Sequence, residues 1–129
     1  MINNIFFVFC HQDDEMGIFN KIKTSIKQKK NVFIFFLTSG YDKKISKNKI
    51  SKRDNESINV LQRIGVKKKN IFFIGRKNNI RIYELYNSLK IAYNSLRFII
   101  NKLKGNIIIY THSWEGGNED HDACHSIVQ

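Results

Sequence analysis

Proline is absent from all 129 residues, and cysteine occurs only twice, at Cys10 and Cys124. Two cysteines cannot build the disulfide framework on which small secreted domains depend. They read instead as small buried residues in a reducing compartment, each beside a histidine-bearing segment. No run of eighteen apolar residues exists. The longest apolar stretch, Val32 to Leu37, is strand-sized, so no transmembrane segment is expected. The opening Met1-Ile-Asn-Asn has no basic region, and Ile5 to Cys10 is too short for the apolar part of a secretory signal. The expected location is therefore the cytoplasm.

Acidic residues are scarce: 11 against 22 lysines and arginines, a net charge of +11. That excess invites a nucleic-acid reading. The lysines, however, fall in three separate clusters, Lys27 to Lys30, Lys43 to Lys52 and Lys67 to Lys69, in expected connections and helix ends. The phenylalanines lie in apolar runs away from them. A base-stacking surface needs the two interleaved, so no nucleic-acid partner is expected. A basic surface still suits an anionic substrate or a membrane face.

What is present is a βα rhythm. Ile5-Phe-Phe-Val-Phe, Val32-Phe-Ile-Phe-Phe-Leu, Ile71-Phe-Phe-Ile and Ile107-Ile-Ile-Tyr are continuous apolar runs, as expected of strands buried on both faces of a parallel sheet. Between them lie helical spacings of three and four. One runs through Met16, Phe19, Ile22 and Ile26, and another through Ile58, Leu61 and Ile64, stopped by Gly65. The longest extends from Leu85 to Leu103, stopped by Gly105. A last helix is expected to start near Asp120 and to be cut at Gln129. The alternation predicts a doubly wound α/β domain with right-handed crossovers. Residues 1–129 are expected to form one domain, truncated at its C-terminal end.

Ligands of open α/β sheets bind at the carboxyl ends of the strands. The first strand runs into Cys10-His11-Gln12-Asp13-Asp14-Glu15. Three carboxylates crowded there repel one another unless a cation is present. His11 and Asp14, three apart at a strand-to-helix turn, can converge on a divalent metal. Asp13 between them projects toward a metal-held water, as a general base does. Glu15 suits the helix dipole. The alternative is an acidic helix cap at Asp13 or Asp14.

The other three histidines, His112, His121 and His125, follow the fourth strand. His121, beside Asp120, is the candidate third ligand. His125 is an alternate ligand or proton-transfer group, or a residue packed on the sheet. His112 is a substrate contact or a loop histidine with its own partners. Trp114 either stacks on a sugar ring or covers the core edge.

Taken together these segments resemble the PIG-L (LmbE-like) family of zinc-dependent N-deacetylases. The family's Ala-His-Pro-Asp-Asp-Glu corresponds to Cys10 to Glu15, and its Glu-Gly-Gly-His-x-Asp-His-Asp-Ala to Glu115 to Ala123. Leu37-Thr38-Ser39-Gly40 is similar to its Leu-Thr-x-Gly, and Arg53 to Glu56, leading to Ile64-Gly65-Val66, to its Arg-x-x-Glu helix. The resemblance implies a Rossmann-like three-layer α/β/α fold with a mostly parallel sheet. It implies zinc on His11, Asp14 and His121, Asp13 as general base and Arg53 as a substrate contact. The implied reaction removes the N-acetyl group of an amino sugar or glycan precursor. Two positions depart from the pattern. Gln12 replaces proline, a change expected to alter only loop stiffness. Asn118 replaces a histidine that holds the oxyanion in the family, with Asp120 as its orienting partner. Asn118 keeps a hydrogen-bond donor but no charge, and losing such a donor costs about a hundredfold or more in rate. The competing expectation is therefore a non-catalytic relative that binds metal or sugar.

Overall fold

The computed structural model describes residues 2–129. Four strands, β1 (Ile2–Phe9), β2 (Asn31–Phe36), β3 (Ile71–Phe73) and β4 (Asn106–Tyr110), form one sheet in the order β3-β2-β1-β4. Every pairing is parallel. The helices are α1 (Phe19–Lys27), α2 (Lys52–Arg63), α3 (Ile74–Asn78), α4 (Leu89–Ile100) and α5 (Glu119–Val128). The four expected strands and the mostly parallel sheet are all present.

The strands explain the three layers. Along β1, Ile5, Phe7 and Phe9 face one side of the sheet, where they pack with Ile22 of α1 and Ile58 and Leu61 of α2. Phe6, Val8 and Cys10 face the other, against Ala92 and Leu96 of α4 and Ala123, Cys124 and Ile127 of α5. In β2 the same alternation sends Val32, Ile34 and Phe36 one way and Phe33, Phe35 and Leu37 the other. A strand sandwiched between two helical layers must be apolar at every position. That is why these runs do not alternate in hydropathy.

The sheet grows from β1 through β2 to β3, then jumps back to place β4 on the other side of β1. The reversal makes the carboxyl ends of β1 and β4 the topological switch point, where α/β sheets open a crevice for ligands. All four histidines follow one or other of these two strand ends.

The helices differ from expectation at their ends. Asp14–Ile18 is a 3-10 turn rather than the start of α1. Its tighter winding takes Met16 off the apolar stripe and leaves it 61% exposed. The long helix begins only at Leu89, after a 3-10 turn at Tyr86–Ser88, and ends at Ile100, short of Leu103. The short α3 has no periodic signal at all. It is fixed by packing: a Cβ at Gly75 would lie 2.1 Å from the Thr38 carbonyl carbon, so only glycine lets the two backbones approach. Gly65, at φ +102, turns the chain out of α2 as expected. The three lysine clusters are largely exposed. No helix among the described residues is long and apolar enough to cross a membrane.

Candidate metal centre

Asp13 stands at φ 99°, in the left-handed region that non-glycine residues avoid. Two neighbours hold it there. The buried Glu15 carboxylate accepts hydrogen bonds from the Asp13 amide at 2.8 Å and from the Ser57 hydroxyl at 2.7 Å. The Arg53 guanidinium donates to Gln12 O at 2.7 Å, to Gly40 O at 2.5 Å and to Asp13 Oδ2 at 3.1 Å. The guanidinium of Arg53, the expected substrate contact, thus bridges the loops that follow β1 and β2. Asp13 itself remains open to solvent, its side chain 73% exposed.

The acidic-cap alternative is not realised. Asp13 occupies the cap position without a side-chain cap bond. Asp14 turns back instead, its Oδ2 accepting from the His11 amide at 2.7 Å. That turn aims Asp14 at the histidines. Its Oδ2 lies 3.2 Å from His112 Nε2 and 3.8 Å from His11 Nδ1, and its Oδ1 lies 3.6 Å from His121 Nε2. Burial pushes the Asp14 carboxyl up, but the His112 bond, the His11 amide and the two imidazoles outweigh it. The carboxyl ends below its ordinary range and stays ionised.

The histidines are held from behind. His11 Nε2 meets Asp120 Oδ2 at 2.8 Å. Asp120 is buried, and it also accepts the backbone amides of Tyr83 at 2.8 Å and Leu85 at 3.3 Å. Burial raises the Asp120 carboxyl; the His11 contact and the Tyr83 amide overcome that and hold it below its ordinary range. An ionised Asp120 can only accept from Nε2–H, which leaves Nδ1 as the His11 nitrogen nearer Asp14. His121 repeats the pattern. Its Nδ1 meets Glu115 Oε1 at 3.0 Å while its Nε2 faces Asp14. His112 lies flat against His121, ring centroids 3.9 Å apart, and the Cys10 amide donates to its Nε2 at 3.3 Å.

One donor atom from each of Cys10, Asp14, His112 and His121 lies within 4.8 Å of the others. A carboxylate, imidazoles and a thiol are the donors zinc takes. Two ligands sharing one zinc at about 2.0–2.1 Å sit roughly 3.3 Å apart. Within that group His112 Nε2 lies 3.2 Å from Asp14 Oδ2 and His121 Nε2 lies 3.6 Å from Asp14 Oδ1, close to that span, while the expected ligand His11 stands outside the group. The donor set therefore fits a metal. Cys10 is the weakest donor. Burial, then its contact with Cys124, pushes its thiol far up, so it stays protonated in the absence of a cation. Both cysteines are free and buried.

The remaining residues fall as follows. Asp120 engages His11 rather than Asn118. Asn118 caps α5, its Oδ1 accepting the His121 amide at 3.2 Å. His125 Nδ1 meets the backbone oxygen of His112 at 2.9 Å, which ties the loop to α5 and does not join the donor group. Trp114 does not cover the core: it is 62% exposed. Gln12 does more than soften the loop. It is buried, and its Nε2 donates to Asp54 Oδ1 at 2.6 Å and Ser39 O at 3.3 Å, while Arg76 grips the other Asp54 oxygen at 2.6 Å. Sequence reasoning missed the role of Glu115, although it opens the Glu-Gly-Gly motif six residues before His121. It also missed Cys10 as a donor, because its side chain belongs to the apolar face of β1.

Comparison with curated proteins gives no match for the chain. A family model described as GlcNAc-PI de-N-acetylase (PIG-L) matches residues 6–129, from the first strand to the last residue. That span contains both histidine-bearing segments and every strand end described above, and the chain belongs to the PIG-L de-N-acetylase family.

Proposed function

We propose that the chain is a zinc-dependent hydrolase that removes the N-acetyl group of an amino sugar or glycan precursor. One observation carries this reading. His11 and His121 each turn one ring nitrogen to Asp14 while a carboxylate, Asp120 or Glu115, takes the other. Carboxylate-backed imidazoles around a third donor are the usual dress of ligating histidines. On this reading His11, Asp14 and His121 hold the ion, and the stretch matched by a de-N-acetylase family contains all three.

Zinc bound there supplies Lewis acidity toward the acetyl carbonyl and lowers the pKa of the attacking water. The chain's own residues do the rest. Asp13, exposed, adjacent in sequence to Asp14 and steadied by Arg53, accepts the proton of the attacking water on this reading. The C–N bond then breaks, acetate leaves, and Asp13 returns the proton to the departing amine. Asn118 uses its oxygen as the α5 cap, so its amide NH2 is the group left to donate to the oxyanion.

The test is acetate release from N-acetylglucosamine-type substrates. Metal-loaded protein is expected to release acetate, to stop after chelation and to recover on zinc addition. No release by metal-loaded protein overturns the reading. The capping role of Asn118 favours a second one, a metal- and sugar-binding relative without turnover. Its signature is activity that appears only in Asn118→His.

A further inference from the structure

Two lysine clusters far apart in sequence, Lys27 to Lys30 and Lys67 to Lys69, meet in the fold. The first leads into β2 and the second into β3, and those strands are parallel neighbours. Between the clusters lies a cavity of about 240 Å³, whose polar side chains are Lys29, Lys30, Asn31, Lys67 and Asn70. It sits at the amino ends of the strands. The length of the sheet, roughly 20 Å for a strand the size of β2, separates it from the metal centre at the carboxyl ends. The cavity is smaller than the roughly 300–1,000 Å³ of pockets that enclose drug-sized ligands and suits a small anion.

Charge is divided along the strands. All eleven acidic residues fall within 13–15, 42, 54–56, 84 and 115–122. These segments belong to the carboxyl side of the sheet; Glu84 adjoins Tyr83, whose amide binds Asp120. The ion pairs of Lys52, Arg53, Arg76 and Arg81 are made there. Lys27, Lys29, Arg63, Lys67, Lys68 and Lys69 are exposed at the other end, in segments that carry no carboxylate. The C-termini of α1 and α2 also lie at that end. Together they supply about one negative charge, against six positive side chains. The helix dipoles therefore leave most of this charge unbalanced, and its self-repulsion favours an anion.

Lys29 also stands against its backbone preference. The ends of α1 and α2 are built alike. The amide of Lys29 donates to Ile26 O at 2.9 Å and that of Lys30 to Ser25 O at 3.1 Å, as Gly65 does to Gln62 O and Val66 to Leu61 O, both at 3.0 Å. This helix ending needs a left-handed residue, ordinarily glycine. Helix α2 uses Gly65 at φ 102°, whereas α1 holds Lys29 at φ 57°. A lysine kept there against its steric preference, with its side chain in the cavity lining, points to a use for that side chain. Asn70 is fixed by its bond to Val32 O at 3.0 Å, which takes one N–H of its amide and leaves the other.

We propose that this cavity binds a phosphate group between the ammonium groups of Lys29 and Lys67, with the Asn70 amide as a further donor. Lysine meets phosphate as a point charge and needs no fixed fork geometry. A dianion matches two facing ammonium groups, which a single carboxylate does not. The bound group lies at the far end of the sheet and leaves the metal centre open.

The probe is inorganic phosphate, titrated into the purified protein by calorimetry against sodium chloride of matched ionic strength. Saturable binding is expected, weakened about tenfold in Lys29→Gly and in Lys67→Ala. Lys29→Gly relieves the left-handed backbone, so in phosphate-free buffer it is expected to melt above wild type. Weaker binding by a more stable variant does not come from misfolding. Phosphatidic acid vesicles separate the sources of the group. Capture that free phosphate competes away, and that both substitutions weaken, assigns a lipid headgroup; phosphate binding without capture assigns a soluble phosphate ester. No saturable heat at matched ionic strength overturns the proposal. Binding that both variants retain in full overturns it as well and places the anion elsewhere, the metal centre included.

Discussion

Asp120 Oδ2 lies 2.8 Å from His11 Nε2, joining residues 109 positions apart. The contact ties the end of β1 to the first turn of α5 across the switch point of the sheet. It also decides which His11 nitrogen is left for a metal. Asp120→Asn keeps the shape of the side chain but removes the charge. Zinc affinity is expected to fall about 10- to 100-fold. Competition with a chromogenic chelator measures it, and unchanged affinity would separate Asp120 from metal binding.

Arg53 grips the loops after β1 and β2 at three points, two of them backbone carbonyls. A clamp on Asp13 and a contact to substrate predict different kinetics. As a clamp, Arg53→Ala lowers kcat by about a hundredfold through misplacement of Asp13 and leaves KM and zinc content near wild type. A selective rise in KM instead returns Arg53 to the substrate-contact role.

The carboxylates set opposite pH trends in metal-free protein. Asp14 and Asp120 have native pKa values held below their unfolded values. Each therefore contributes stability that is present above about pH 3.9 and is lost as pH falls through its native pKa. Glu15 is raised by burial, so the native state keeps its proton longer than the unfolded chain. It costs stability as pH rises from about 4.3 through its native pKa. Denaturant unfolding of the chelated protein against pH is expected to show a shallower acid-side loss in Asp120→Asn. Glu15→Gln is expected to remove the opposing slope. Parallel curves for all three proteins contradict these assignments.

Gln12 and Arg76 between them satisfy the two oxygens of fully buried Asp54. Gln12→Ala strips one oxygen of its partner, at a cost of about 1–3 kcal/mol. Thermal or denaturant unfolding reads that loss directly. An unchanged midpoint means that Arg76 alone satisfies the carboxylate.

These side-chain partnerships were the least legible part of the sequence. The strands were plain, because a strand buried on both faces must be apolar throughout, and Ile5 to Phe9 and Val32 to Leu37 are. The switch-point rule allows β1 and β4 to be neighbours but does not dictate it; the observed order β3-β2-β1-β4 makes them so. Helix α3 was hidden because Gly75 is chosen by the Thr38 backbone and not by periodicity. The meeting of Asp14 with His121 was visible in outline; the place of His112 and Cys10 in the donor group, and the partners behind the histidines, were not. Asp120 and His121 adjoin in sequence, yet neighbours on a helix point about 100° apart. Asp120 therefore turns inward to His11, and His121 finds Glu115 instead.

The account stands or falls on which histidine joins Asp14 and His121 around the ion. His112 Nε2 is nearer to Asp14 and converges with Cys10 and His121; His11 lies outside that group but has Asp120 behind it, as a ligating imidazole does. Elemental analysis of purified wild type, His11→Ala and His112→Ala decides between them. The expected result is about one zinc per chain in wild type and His112→Ala, with most of it lost from His11→Ala. Full zinc in His11→Ala, with loss from His112→Ala, contradicts the account and assigns the centre to Cys10, Asp14, His112 and His121.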